Sequence, residues 1–237
     1  MSDSHTNPWF GISMALIGVI AGYGIALSSG SVGSPSPTAQ VANAPSPAAA
    51  PTPTPEPQTA DNVKPVDTER DHIRGNRNAK IAVIEYADYE CPFCARNHPT
   101  MEQLVTNNDD VMWIYRHFPL AFHPSATPTA EASECVWEQG GDDAFWKFND
   151  TVFTSGANVA KNEEYATQSG VDAAKFTECM SSGKYTQYVQ DEMAAGSAAG
   201  ISGTPGVIVL NIKTGKTQIV SGAQPIASFQ AAIDALK

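Results

Sequence analysis

Residues 80–87, KIAVIEYA, are apolar on both alternating faces, a pattern that suits a strand covered on two sides. Four residues later comes Cys91-Pro92-Phe93-Cys94. Pro92 near its start and Phe93, Met101, Leu104 and Val105 at helical spacing predict a helix from Cys91 to about Asn107, with Cys91 at its N-terminus. A buried strand that hands a cysteine directly to a helix points to an α/β architecture.

Residues 111–118, VMWIYRHF, form a second β-rich run, and residues 129–199 read as helical. Within that stretch Phe145, Phe148 and Val152 share one face, Asp172 suits an N-cap before AAKFTECM, and Tyr185, Tyr188 and Val189 stripe another helix. Residues 207–211 and 217–220 flank Lys213-Thr214-Gly215 as a hairpin, and residues 225–236 close with a helix. The expected order is β, α, β, a helical insertion over about 123–199, β, β, α.

Ahead of this domain, residues 9–27 are an uncharged run of 19, enough as a helix to match a bilayer core of about 30 Å. We expect a transmembrane anchor after a short tail at 1–8; a cleaved signal segment is the rival reading. The first Lys or Arg is Lys64, so loop charge says nothing about orientation. Residues 28–61 are rich in Pro, Ala and Ser. Eight of the chain's 17 prolines lie there, and such a segment buries too little apolar surface to offset its ordering entropy. It is expected to be a disordered linker, with the folded domain over 62–237. The net charge of −11 argues against nucleic acid or an anionic surface as partner.

A lone CxxC serves redox pairs, zinc sites or haem attachment. Ala95 in place of a histidine disfavours haem. Cys91, Cys94 and His98 could supply three zinc ligands, but no second CxxC offers a fourth, and His98 is expected on an exposed face. The redox reading explains more residues. Unpaired N–H groups at the helix start favour a thiolate on Cys91, the nucleophile, and Cys94 one turn on resolves the mixed disulfide. Glu85 stands in an otherwise apolar strand and is expected to accept and donate the Cys94 proton; a solvent-facing strand-edge glutamate is the alternative. Thr204-Pro205, entering the strand VIVLN, is a candidate cis peptide facing Cys91, where the Thr204 backbone would pair with an extended substrate; a trans proline ending a loop is the alternative.

The stretches IAVIEYADYECPFCARNHPTMEQL, VWEQGGDDAFWKFNDTVF, DAAKFTECMSSGKY and GISGTPGVIVLN together resemble the DsbA-like family of bacterial extracytoplasmic thiol-disulfide oxidoreductases, over residues 70–237. The resemblance implies a thioredoxin-like fold with a helical insertion after the second strand, and no cofactor beyond the Cys91-Cys94 disulfide, with no metal. It implies Cys91 as nucleophile, Cys94 as resolving cysteine, Glu85 at the acidic position and Pro205 as the facing cis-proline. It also implies that Cys135 and Cys179 form a structural disulfide, two free buried thiols being the alternative. Closing a loop of about 45 residues contributes roughly 2–4 kcal/mol.

The activity implied is a dithiol oxidase acting on exported proteins with cysteines, anchored with its domain outside the cytoplasm or secreted, monomeric, and reoxidised by a quinone-linked membrane partner of DsbB or VKOR type. A reductase or isomerase of the same fold and a non-catalytic chaperone module are the alternatives. The dipeptide departs from the family's strongly oxidising members: Phe93 stands where they carry histidine and cannot bear charge beside the thiolate. Gly206 follows the proline where a larger residue is usual. Arg116, His117, His123, Tyr89, Trp113 and Phe122 read as strand, loop and core residues, and Asp88 and Glu90 as solvated.

Overall fold

Seven consecutive buried residues make β2 (Ile81–Ala87) the centre of the domain in the computed structural model, which describes residues 57–237. The expected anchor at 9–27 and most of the expected linker lie outside the described residues. Among the described residues no helix is long and apolar enough to cross a membrane. β2 lies parallel to β3 (Val111–His117) and antiparallel to β4 (Gly206–Asn211), which pairs antiparallel with β5 (Thr217–Ser221). β1 (His72–Gly75) completes the order β1-β3-β2-β4-β5. Sequence reading did not find β1: its four residues, HIRG, carry no apolar alternation, and β3 supplies their pairing partners from His72↔Tyr115 to Gly75↔Met112.

Side chains alternate across the sheet, so β2 and β3 feed two cores. Ile81, Val83, Trp113 and Tyr115 pack with Met101 and Leu104 of α1 (Pro92–Thr106), with Phe145 and Phe148 of α2 (Ala126–Ser155), and with Phe229 of α6 (Ile226–Leu236). Ala82, Ile84, Tyr86, Met112 and Ile114 face the other way, against Ala60, Ala199 and Ile201, with Val63 and Val66 alongside. The expected helical insertion consists of α2, a 3-10 turn, α3 (Asn162–Gln168), α4 (Ala173–Ser182) and α5 (Thr186–Ala198). Asp172 caps α4 by accepting from the Lys175 amide at 2.9 Å. Cys135 of α2 and Cys179 of α4 are disulfide-bonded, with Cα atoms 5.8 Å apart.

The N-terminal segment is integrated earlier than a linker end at 61 implies. The Gln58 carbonyl accepts from Ile219 of β5 at 2.7 Å, and the Ala60 amide donates to Thr217 Oγ1 at 2.9 Å. Arg116, fully buried in β3, ties down residues 64–71. Its guanidinium donates to the Lys64 and Pro65 carbonyls, each at 3.0 Å, and to both carboxylate oxygens of Asp71 at 3.0 and 2.9 Å. Composition alone hides this, because backbone carbonyls of any residue satisfy a buried guanidinium.

Gly206 has a packing reason. A Cβ there would meet Ile201 Cγ2 at 2.6 Å and the Gly203 carbonyl at 3.0 Å, so a larger residue would push apart the loop carrying Pro205. At Gly196 a Cβ would lie 2.7 Å from the Tyr86 ring, which sets how closely α5 approaches β2.

Candidate active site

β2 ends at Ala87, and the loop Asp88–Glu90 delivers Cys91 to the N-cap of α1, with Pro92 at the first helical position. Cys91 has extended backbone (φ −73°, ψ 119°) and no side-chain cap satisfies the first turn. Backbone N–H groups of Phe93 and Cys94 therefore remain to act on its sulfur. The Cys91 thiol is depressed to about 5: the Cys94 thiol donating to it is the main cause, burial opposes, and Thr204 and the two amides add to the depression. The Cys91 Sγ lies 3.5 Å from the Thr204 carbonyl, and the Thr204-Pro205 peptide is cis. Thr204, Pro205, Ser221 and Gly222 help line a cleft of about 210 Å³.

Cys94 is deeper, 1% exposed, and its sulfur accepts from the Asp88 amide at 3.5 Å. Burial pushes its thiol up, and the bond to Cys91 and the charge of Glu85 push it further. The pair is thus split: the outer sulfur ionises readily and the inner one holds its proton.

Glu85 is buried in the central strand, not at a solvent-facing edge. By strand alternation it shares the face of Val83 and Ala87, toward α1. Asn97 Nδ2 donates to its Oε1 at 2.8 Å and Trp113 Nε1 to its Oε2 at 3.0 Å. Burial raises its pKa, and those two hydrogen bonds together with His98 only partly offset it. Sequence reading missed Asn97. The signal was available: Asn97 lies one turn beyond Cys94 on the buried face of α1. Trp113 was read only as a core residue, because which β3 side chain meets Glu85 depends on sheet register.

Three expectations are corrected. His98 is buried, not exposed, with its Nε2 2.8 Å from Asp150. Asp88 is 1% exposed, not solvated: its carboxylate accepts from the amides of Glu90 at 2.7 Å and Leu120 at 2.8 Å, and meets His123 Nδ1 at 2.8 Å. Glu90 accepts from the Ser125 amide at 2.6 Å. His98 is buried because it lies where α1 packs on α2, which carries Asp150, whereas Asp88 and Glu90 share another reason. A β–α loop packed under the loop from β3 to α2 must satisfy that loop's amides, and carboxylates do so. Phe93 and Phe122 are exposed, at 52% and 74%, and the Arg96 guanidinium sits 5.0 Å from the Phe93 ring.

Cys91, Cys94 and His98 do not gather as metal ligands. Among the described residues two other sets do, His72, His117 and Glu134, and His98, Glu102 and Asp150. In each, an arginine occupies the carboxylates: Arg70 on Glu134, and Arg74 on Glu102 at 2.6 Å and on Asp150 at 2.7 Å.

An easily ionised thiol above a buried protonated one, on a helix start facing a proline loop, is an arrangement suited to thiol-disulfide exchange. A family model described as thioredoxin matches residues 67–235, and the chain belongs to that family. Within it the chain is DsbA-like. Pseudomonas aeruginosa DsbA2 superposes with a TM-score of 0.64 at 27% identity, over 73% of this chain and 97% of that one. Bacillus subtilis BdbD shares the fold at a TM-score of 0.62 and 19% identity, over 76% and 98%. In sequence, the Na(+)/H(+) antiporter NhaA 3 of Salinispora tropica is 35% identical over 144 residues, 60% of this chain but 22% of that protein. The NhaA 1 of Mycolicibacterium vanbaalenii is 32% identical over 157 residues, 64% and 25%. The chain therefore spans about a quarter of the length of these curated relatives.

Proposed function

We propose that the chain is a dithiol oxidase acting outside the cytoplasm, passing the Cys91-Cys94 disulfide to exported proteins that carry cysteine pairs. The observation that carries this reading is the seat of Cys91 at the uncapped start of α1 beside the cis Thr204-Pro205 loop, where the Cys94 thiol and the Phe93 and Cys94 amides depress its own thiol to about 5. A stabilised thiolate lowers the free energy of the reduced form, and a protein whose reduced form is stabilised is a strong oxidant.

In the first step a substrate thiolate attacks Cys91 Sγ, the Cys91–Cys94 bond breaks, and the Cys94 sulfur leaves as a thiolate that takes a proton from Glu85. The second substrate thiolate then attacks the substrate sulfur of the mixed disulfide. That bond breaks and Cys91 leaves as the low-pKa thiolate, so two electrons have passed to the cysteine pair and the substrate is oxidised. Extended substrate pairs with the Thr204 backbone beside Pro205 during these attacks. A quinone-linked membrane partner of DsbB or VKOR type restores the disulfide. The bonded Cys135 and Cys179 support an oxidising compartment. The apolar run at 9–27 supports tethering, and the mass of the mature protein distinguishes a retained anchor from a cleaved signal.

Glu85→Gln keeps the hydrogen-bonding shape but cannot carry the proton. Closure of the Cys91-Cys94 disulfide from a mixed disulfide at pH 7 is expected to slow roughly hundredfold, and the deficit should shrink as pH rises. An unchanged closure rate across pH would remove Glu85 from the mechanism.

A second reading, a reductase kept reduced by a membrane donor, is favoured by Phe93, which places no charge in the dipeptide. The equilibrium potential against glutathione separates the two. A value toward about −120 mV supports the oxidase, and one near about −270 mV supports the reductant.

A further inference from the structure

The loop from β3 to α2, residues 118–125, is latched onto the loop that carries Cys91. Asp88 is the hinge of that latch. Its Oδ2 meets His123 Nδ1 and the Leu120 amide, each at 2.8 Å, and its Oδ1 accepts from the Glu90 amide at 2.7 Å. Its backbone carbonyl accepts from the Cys91 amide at 3.1 Å, and its backbone amide reaches Cys94 Sγ at 3.5 Å. A buried carboxylate bonded through its own backbone to both cysteine residues opposes a thiolate there. The dipeptide between the cysteines offers no compensating charge, because Phe93 is apolar.

We propose that His123 is a positioning residue for the exchange reaction: its imidazolium, seated on Asp88, cancels that carboxylate's charge beside Cys91 and supplies the cation that Phe93 does not. The inference rests on the reading of Cys91 as the nucleophile.

The charges facing His123 agree with this. Burial works against its protonation, but the bond to Asp88, the charges of Asp88 and Glu90 and the Cys91 thiolate outweigh it and raise its pKa above the ordinary 6.5. Cys91 ionises near 5, so the imidazole is protonated throughout the titration of the thiol it serves. At higher pH, once His123 is neutral, its charge no longer offsets the Asp88 and Glu90 carboxylates that surround it.

The test follows ionisation of Cys91 in the full chain by thiolate ultraviolet absorbance, with Cys91→Ser as the blank. In His123→Gln the ionisation constant is expected to fall roughly three- to tenfold. The disulfide-forming equilibrium with glutathione should shift by a similar factor, making the protein the weaker oxidant. His123→Lys keeps a positive charge on Asp88 and should restore the wild-type ionisation. Asp88→Asn, which removes the opposing charge, should move the ionisation to lower pH, and gives an independent reading if the glutamine variant does not fold. A wild-type titration near pH 5 that is unchanged in His123→Gln and in Asp88→Asn overturns the inference and leaves the oxidase reading intact, as does a folded His123→Lys that behaves like the glutamine variant. Absence of any wild-type titration near pH 5 overturns both.

Discussion

Glu134→Ala is expected to cost the domain about 3–5 kcal/mol, because it strands buried positive charge rather than deleting a surface contact. Glu134 is fully buried in α2, and its Oε1 meets His72 Nε2 at 2.6 Å and His117 Nε2 at 2.8 Å, while Oε2 pairs with Arg70. One carboxylate thus joins the N-terminal segment, β1, β3 and the insertion. Burial alone would raise its pKa, but the charge on His72 and hydrogen bonds from His117 and His72 hold it well below the ordinary 4.5.

His72 is affected in the opposite sense. Burial opposes its charge, yet Glu134 and Asp142 raise its pKa to about 9. The His72 contribution is therefore fully present below the ordinary 6.5 and is lost as pH rises through about 9. The Glu134 contribution is present above 4.5 and is lost as pH falls through its depressed folded value. Denaturant unfolding of the oxidised protein, in which Cys91 does not titrate, should give wild-type stability that is highest between about pH 4.5 and 6.5 and declines toward 9, and a variant that is weaker and shows a smaller alkaline decline. A loss under about 1 kcal/mol at pH 6 would mean that Glu134 is not holding these charges.

Cys91→Ser is expected to lower the rate of disulfide transfer to a reduced model protein by roughly a thousandfold or more, down to background exchange. A hydroxyl is scarcely ionised where the Cys91 thiol is a thiolate, and loss of a nucleophile removes the steps that depend on it together. Cys94→Ser should fail differently. Cys91 remains reactive, so with a disulfide-bonded model substrate its thiolate attacks one substrate sulfur, the other leaves as a thiolate, and the mixed disulfide that Cys94 can no longer resolve accumulates, visible as a mass equal to the sum of the two chains. Undiminished transfer in Cys91→Ser would point to a non-catalytic binding module of the same fold.

Much of this centre is legible before any folding is considered, since it is written in local order. Cys91 at a helix start follows from Pro92 and the apolar spacing after it, and a carboxylate amid KIAVIEYA is costly enough to demand a function. The hairpin and the final helix are equally local. By contrast β1, the burial of His98 and Asp88, and the hold of Arg116 on residues 64–71 depend on partners 32 to 52 positions away or on the register of neighbouring strands.

Residue order alone therefore set the chemistry: two cysteines at a helix start, an acid in an apolar strand, a proline loop and the αβ order that carries them, each readable from periodicity and residue type within a few positions. Packing in three dimensions set the electrostatic surroundings of that chemistry. Asn97 and Trp113 on Glu85, His123 on Asp88, and Glu134 among His72, His117 and Arg70 come from different elements, and sequence periodicity places a side chain on a face without naming the charge that packing brings against it.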